Sequence, residues 1–479
     1  MSQILVLLFL ASSLFIPSQT QSQQPANNEE AFISIRLSQN GLDFLKSMLT
    51  SKVLESITPL ILPKIEQTAN IPFQGDVDMH LSRILITQIQ VYSSGCNKSG
   101  VTAGLQLIAW GEVCNLTVDF HLPFYHRLAD NGCAAIKVVG VQLGNRLDLE
   151  KHNGILKLSL VDLDFNYSDI SVEVNEEGSW LFRRMIHSFQ RHIGVSVQKA
   201  VSKKIREQIL KLDSFLQDVP KEIPIDEISS LNVTLLKGNS SYIFDINGLF
   251  LSRNRSAVPL VSSNFRNSQP SVLCTQESKS IGISIHEDVL NSASALYYDA
   301  EFMRWIVDKL PDDSLLKTDI VPEVKKLYPN DDMKLNISLS CPPMIRISED
   351  KIDASVNAEL IINVLKAEEL VGVACFSLKI EGSGSVEIIE DEYPGMLRVG
   401  GSMKLKDLSV SMEWSNIGNL PLHVIESVVE TVVLPYANAQ LRQGFVMPGI
   451  HGFLLWKAQI ILSNSRITLC GDLAYVEPQ

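Results

Sequence analysis

The residues of this chain that could do chemistry are scattered, and few stand at spacings that chemistry uses. His187 and His192 share a stretch that reads as helix, but five residues apart they do not face one another as two metal ligands would. Asp312-Asp313 and Asp331-Asp332 are acidic pairs in polar stretches near prolines, where carboxylates are ordinarily solvated. Gly382-Ser383-Gly384-Ser385 reads as a turn between strands. There is no GxSxG elbow, no HExxH and no phosphate-cradling glycine loop, so no convergent set of nucleophile, base and orienter is legible. Seven cysteines are present, Cys96, Cys114, Cys133, Cys274, Cys341, Cys375 and Cys470, none of them in a CxxC pair or near a histidine at metal spacing. Zinc is not expected, nor any other metal or cofactor. In an oxidising compartment an odd count leaves at least one thiol unpaired. Cys96 and Cys114 flank an apparent hairpin and are the first candidates for a bridge, although connectivity cannot be read from sequence.

What chemistry leaves over is apolar patterning. From Ser179 to Leu216, Trp180, Leu181, Met185, Phe189, Ile193, Val197, Val201, Ile205 and Ile209 recur at three- and four-residue steps, the period of one helix face. Arg183, Arg184, Arg191, Lys199, Lys203 and Lys204 fall on the other sides. Asp218-Val219-Pro220 ends the pattern, because proline cannot continue the hydrogen-bond ladder. Gly194 is a candidate bend. So long an apolar stripe needs an equally long apolar surface to lie on, and the flanking sequence supplies strands.

The chain has 479 residues, 45% of them hydrophobic, and a net charge of −13. That length calls for at least two domains. The charge excludes a nucleic-acid binder and an electrostatic magnet for anionic membranes. Residues 1–22 hold an apolar run from Ile4 to Leu10, then small residues, and read as a secretory signal peptide. No later stretch is long and apolar enough to span a bilayer. The expectation is a secreted protein. Seven N-x-S/T sequons follow, at Asn97, Asn115, Asn166, Asn232, Asn239, Asn254 and Asn336, and three of them (Asn115, Asn232 and Asn336) sit where strand alternation turns them outward.

Taken in order, Phe32–Leu37 alternates like a strand, Gln39-Asn40-Gly41 breaks it, and Leu42–Ile61 reads as a helix. Period two then dominates from Gly75 to Val174, a long antiparallel meander closed by the long helix. Short strands follow at Leu231–Leu236 and Tyr242–Leu251, then a polar loop over Ser252–Ser271. Ile281, Ile283, Ile285 and Leu290 then repeat the spacing of Ile33, Ile35, Leu37 and Leu42 at a constant offset of 248. A helix over Asp288–Leu310, strands at Met333–Cys341, Ile352–Val364, Cys375–Ile380 and Met403–Trp414, and a helix over Pro421–Leu441 repeat the first half's order. The fold class expected is α+β, two similar units in tandem with a joining segment.

Several stretches in order, FISIRLSQNGLDFLKSML, LPKIEQTANIP, GSWLFRRMIHSF, LDSFLQDVPKEIPID, LNISLSCPPMIRIS, WSNIGNLPL and LPYANAQLRQGF, resemble the family of bactericidal/permeability-increasing protein and lipopolysaccharide-binding protein, its plant-type members above all. The resemblance implies a boomerang of two tandem elongated barrels of twisted antiparallel sheet, each closed by two helices and joined by a central sheet. It implies residues 23–225 as the first barrel, 226–275 as the central sheet and linker, and 276–479 as the second. It also implies apolar pockets that take the acyl chains of lipopolysaccharide or phospholipid, contact with a bacterial outer-membrane surface, and no enzymatic activity. The expected role is innate immune recognition of bacteria, with lipid transfer or a protein-binding scaffold as alternatives. Residues placed toward the first pocket are Leu45, Leu49, Leu54, Ile57, Phe189, Ile193 and Val197. Well-known members grip lipid phosphates with lysine-rich strand ends. Here the corresponding segments, Gly75–Leu85 and Ala109–Leu122, offer Arg83 alone, and Arg183, Arg184, Arg191, Lys203 and Lys204 are the substitute headgroup candidates. The family's disulfide from the last strand of the first unit to the long helix would fall near Leu163 and Val201, both apolar, so it is absent.

Overall fold

The structure, a computed structural model, describes residues 31–41, 43–44, 60–71, 75–81, 85–86, 90–97, 100–106, 113–114, 117–121, 129–130, 133–139, 141–152, 155–167, 169–174, 180–217, 220–239, 243–253, 274, 279–307, 324, 326–329, 332–366, 369–390, 397–418, 422–447 and 453–475. The chain forms two compact units, residues 42–219 and residues 24–41 with 220–479. The first strand, β1 (Ile33–Leu37), belongs to the second of these.

The 42–219 unit is a meander of β2 (Leu60–Ile61), β3 (Ile65–Ile71), β4 (Gly75–Leu81), β5 (Leu85–Ile86), β6 (Gln90–Asn97), β7 (Gly100–Gln106), β8 (Val113–Cys114), β9 (Thr117–His121), β10 (Ala129–Asp130), β11 (Cys133–Val139), β12 (Val141–His152), β13 (Ile155–Asn166) and β14 (Asp169–Val174). Their pairings are all antiparallel, as period-two alternation predicts. The sheets run β10-β9-β4-β3, β14-β11-β8, β13-β12-β7-β6 and β2-β5. Among the described residues each is an open path, so the closed barrel implied by the family resemblance is not seen there. Register sets Cys114 opposite Cys133, while Cys96 stands opposite Val101 in another sheet. The Cys96–Cys114 bridge first considered is therefore not the one the backbone favours.

Helix α1 (Trp180–Gln217) follows the meander as 38 unbroken residues. Gly194 does not interrupt it. A Cβ there would lie 2.4 Å from Ile170 Cδ1 and Tyr167 Oη, so the glycine lets the helix backbone approach β14. Most of the first expected helix, from Leu45 to residue 59, lies outside the described residues. Its start is visible earlier than sequence placed it: residues 39–41 are helical, and Ser38 Oγ accepts from the Gly41 N–H at 3.2 Å as an N-cap.

The second unit adds β15 (Glu222–Pro224), β16 (Ser229–Asn232), β17 (Leu235–Asn239), β18 (Ile243–Ile246), β19 (Phe250–Ser252), β20 (Ile281–His286), helix α2 (Glu287–Asp299), β21 (Arg304–Val307), β22 (Asp332–Leu339), β23 (Met344–Ile347), β24 (Ile352–Lys366), β25 (Glu369–Glu390) and β26 (Leu397–Ser415). It closes with α3 (Leu422–Val428), a π segment (Val429–Val433), α4 (Leu434–Gln443), β27 (Phe445–Met447), β28 (Phe453–Ser463) and β29 (Arg466–Tyr475). A six-stranded sheet runs β17-β18-β1-β20-β29-β28, and β1 meets β20 antiparallel with Ile35 opposite Ile283. Those two residues differ by the repeat offset, so the opening strands of the two halves pair about their own equivalent position. Cys274 and Cys470 are joined by a disulfide, and Gly282, beside Cys470 in the sheet, makes room for the Cys274 sulfur.

Four sequence expectations are corrected in this unit. The helix expected over Asp288–Leu310 ends at Asp299, since Glu301 turns to φ 62° and the β-favouring Arg304–Val307 pairs with β22 instead. The helix expected over Pro421–Leu441 is interrupted by the π segment immediately before Pro435, whose missing N–H cannot join an α ladder. Gly248, at φ 80°, splits the expected Tyr242–Leu251 strand into β18 and β19. Gly382-Ser383-Gly384-Ser385 is no turn and lies within β25. A Cβ on Gly382 would meet Met403 Sδ at 2.5 Å and one on Gly384 the Ser402 carbonyl at 2.8 Å, so these glycines serve close approach of β26.

Candidate functional site

No convergent polar site appears among the described residues, where no group of three or more His, Cys, Asp or Glu is placed to hold a metal. No described helix is long and apolar enough to cross a membrane. The features that stand out are two apolar interiors, each roofed by a helix.

In the 42–219 unit the roof is α1, which lies on β13 and β14 and touches β3. Ile193, Val197, Val201, Ile205 and Ile209, each four residues from the last, are all buried, while Val195 and Leu210 off the stripe are exposed. Leu158, Phe165, Ile170 and Ile65 are the buried apolar side chains of the strands beneath. Burying each such side chain contributes about 1.5–3 kcal/mol, which a helix of this composition would lack alone in water. Polar contacts fix the register. Gly194 abuts Tyr167, Gln198 Nε2 donates to the Phe165 carbonyl at 3.3 Å, and the Leu158 N–H donates to Asp213 Oδ1 at 2.7 Å. Helix numbering rises as strand numbering falls, so α1 runs antiparallel to β13.

In the second unit a closed core joins β22, β24 and β25 to α3. Leu335, Leu360, Ile362, Phe376, Val424 and Ile425 are each 0% exposed. Along β25 the inward residues pass from sealed Phe376 and Leu378 to half-buried Ile380. Opposite stand Leu408 and Val410 of β26, and Val432 and Val433 of the π segment, also half-buried and packed on that core. These side chains keep part of their apolar surface in water, at a cost of about 25 cal/mol per Å².

The electrostatics around these interiors are structural. Asp226 accepts from the Tyr297 hydroxyl, from Ser229 Oγ at 2.7 Å, and from the Ile228 and Ser229 N–H groups, tying the segment after β15 to α2. Burial pushes the Asp226 carboxyl up, but these hydrogen bonds outweigh it and hold the group at about 2. Burial, with Glu359 and Glu413 nearby, pushes the Cys375 thiol up.

Of the residues sequence placed toward lipid, Ile193 and Val197 are 0% and 1% exposed on the α1 stripe. Phe189 is in α1, with its side chain outside the described residues, and Leu45, Leu49, Leu54 and Ile57 lie outside them altogether. Among headgroup candidates Arg191 and Lys203 are exposed, and Lys204 pairs with Glu207 at 3.9 Å. Arg183 and Arg184 are in α1, their side chains outside the described residues. Among sequons, Asn166 ends β13 exposed, and Asn232 and Asn336 are half-exposed in strands. Asn97 and Asn239 lie in strands with side chains not described, and Asn115 and Asn254 fall outside. Sequence reasoning named no lining residues in the second unit, although the alternation of Leu408 and Val410 and the stripe through Val432 carried the signal.

Comparison with known proteins agrees with this architecture. Residues 41–219 match the N-terminal domain model of the LBP / BPI / CETP family, and residues 245–475 match the C-terminal domain model. A putative BPI/LBP family protein of Arabidopsis thaliana is 44% identical, covering 98% of this chain and 96% of the relative. A bactericidal permeability-increasing protein of Rattus norvegicus is 23% identical over 96% of this chain and 97% of its own. The crystal structure of a lipopolysaccharide binding protein superposes with a TM-score of 0.57 at 15% identity, over 94% of this chain and 100% of that one. Matched in both halves and across nearly its whole length, the chain belongs to the LBP / BPI / CETP family.

Proposed function

We propose that this chain is a secreted lipid-binding glycoprotein whose apolar interiors take the acyl chains of lipopolysaccharide or phospholipid. The observation that carries the reading is the half-buried apolar run of Ile380, Leu408, Val410, Val432 and Val433. An acyl chain laid there would remove from water the surface that protein atoms leave uncovered. Relatives named for lipopolysaccharide binding and bactericidal permeability increase support that ligand class and a role in recognising bacteria. Tandem barrels are part of the same reading, supported by the 248-residue repeat. An oxidising compartment is supported by the Cys274–Cys470 disulfide and by the exposed sequon Asn166. The 42–219 unit takes lipid under α1, against Ile193 and Val197, with Arg191 and Lys203 toward the headgroup.

The test is organic extraction of protein purified from a eukaryotic secretion host, followed by mass spectrometry. Stoichiometric acyl lipid supports the reading. Protein free of lipid, which also fails to take up added phospholipid or lipid A, would overturn it.

A further inference from the structure

Cys114 and Cys133 stand directly opposite one another where β8 pairs antiparallel with β11, next to the pair Val113 and Ala134. The same two stretches pair again further along, Val118 with Asp130 and Asp119 with Ala129. From one ladder to the other the first stretch advances four residues and the second retreats three, the count of a single hairpin with one extra residue on its first arm. Directly opposed residues in an antiparallel pair have Cα atoms about 4.5–5.5 Å apart, inside the span of about 4.4–6.8 Å that a disulfide bridges. No other cysteine shares that ladder. Cys96 is in β6 opposite Val101, Cys274 and Cys470 are already joined, and Cys341 and Cys375 are free thiols of the other unit.

We propose that Cys114 and Cys133 form a second disulfide, clipping the neck of the hairpin that carries β9 and β10. The neck is where this stretch of chain passes from the β14-β11-β8 sheet to the β10-β9-β4-β3 sheet. β8 is two residues long there, too short a ladder to hold by backbone bonds alone. The proposal rests on the oxidising compartment of the function proposed above. Each thiol loses its proton and one S–S bond forms. The two electrons pass by thiol–disulfide exchange to the disulfide of a luminal oxidoreductase, which leaves as a dithiol.

The whole secreted protein is alkylated under denaturing, non-reducing conditions, stripped of N-glycans and digested with trypsin. Cys96, Cys114 and Cys133 then fall in separate peptides, residues 84–98, 99–127 and 128–137. The clip predicts 99–127 linked to 128–137 until reduction, 84–98 alkylated, and three thiols among the seven cysteines. Alkylated Cys114 or Cys133, or 99–127 linked to 84–98, would overturn it. Cys274–Cys470 is the internal control. Closed beside an open Cys114 and Cys133, it sinks the clip and leaves the compartment standing; all four alkylated sinks both. Cys114→Ser and Cys133→Ser should each raise the thiol count from three to four, and the double variant should restore three. Should a variant fail to be secreted, the parent's peptide map decides.

Discussion

Replacing Gly194 with alanine tests how closely α1 lies on its sheet. In an ordinary helix interior the change is favourable by about 0.5–1 kcal/mol, because alanine loses less backbone entropy. Here the new methyl would sit 2.4 Å from Ile170 Cδ1 and from Tyr167 Oη, and 2.5 Å from Tyr167 Cζ. No real Cβ tolerates such contacts, and since they come from two different side chains, one rotamer change does not relieve them. Overpacking of this kind costs about 1–3 kcal/mol. The net expectation is a loss of up to about 2.5 kcal/mol, which lowers the midpoint of a unit this size by up to roughly 10 °C. Calorimetry on the full-length variant reads the midpoint, and hydrogen exchange across Asp169–Val174 should quicken with it. Lys203→Ala, at an exposed position of the same helix, should stay within about 0.5 kcal/mol of the parent. A Gly194→Ala protein more stable than its parent would mean that α1 stands off β14, and the packing argument fails.

Val197→Asp buries an unpaired carboxylate at a residue 1% exposed and should cost several kcal/mol, on the order expected for an uncompensated charge, whereas Val195→Asp, at 37% exposure, should be tolerated. Equal secretion of the two variants would refute the stripe. Tyr297→Phe should change acid stability. With its folded value of about 2 below the ordinary 3.8, Asp226 contributes stability that is complete above pH 4 and lost as pH falls toward 2. Removing the hydroxyl narrows that window, and an acid-unfolding profile unchanged by Tyr297→Phe would contradict the assignment. Lipopolysaccharide binding by the whole chain should weaken only gently with salt, because Gly75–Leu85 and Ala109–Leu122 offer Arg83 alone and Lys204 of α1 is already paired with Glu207; a steep titration in salt would reveal a basic site elsewhere.

Much of this fold is legible because its signals are local and repetitive. The α1 stripe, from Trp180 to Ile209, spans about eight turns of one helical face, so sequence placed the helix at Ser179–Leu216 against the observed Trp180–Gln217. The 248-residue offset marked Ile33–Leu37 and Ile281–Ile285 as equivalent, but that these two strands pair with one another, Ile35 opposite Ile283, is visible only in the structure. The misreadings came where tertiary contacts override local pattern. Glycines at 382 and 384 look like a turn, yet their lack of side chains serves β26 across the sheet. Arg304–Val307 continues a helical pattern in sequence but has a strand partner in β22 that no local window contains. Disulfide choice is likewise tertiary: Cys274, outside any strand, reaches Cys470 of β29 from 196 residues away, and nothing between them announces the pairing. The interior was legible as stripe residues such as Ile193, but which apolar side chains stay half-buried depends on how far the roof extends. For Ile380 and Val432, which pack half-buried at the margin of the sealed core, no local window contains that information.

The central claim is that acyl chains enter the apolar interiors under the helices. A phospholipid carrying a photoreactive diazirine in its acyl chain, loaded into the full-length protein and irradiated, tests it most directly by peptide mapping. The account predicts crosslinks in the α1 stripe around Ile193 and Val197, in β13 or β14 beneath it, and in the second unit at β25, β26 and the π segment. Crosslinks confined to exposed residues such as Leu210, Phe302 or Trp456, with none in either interior, would contradict it.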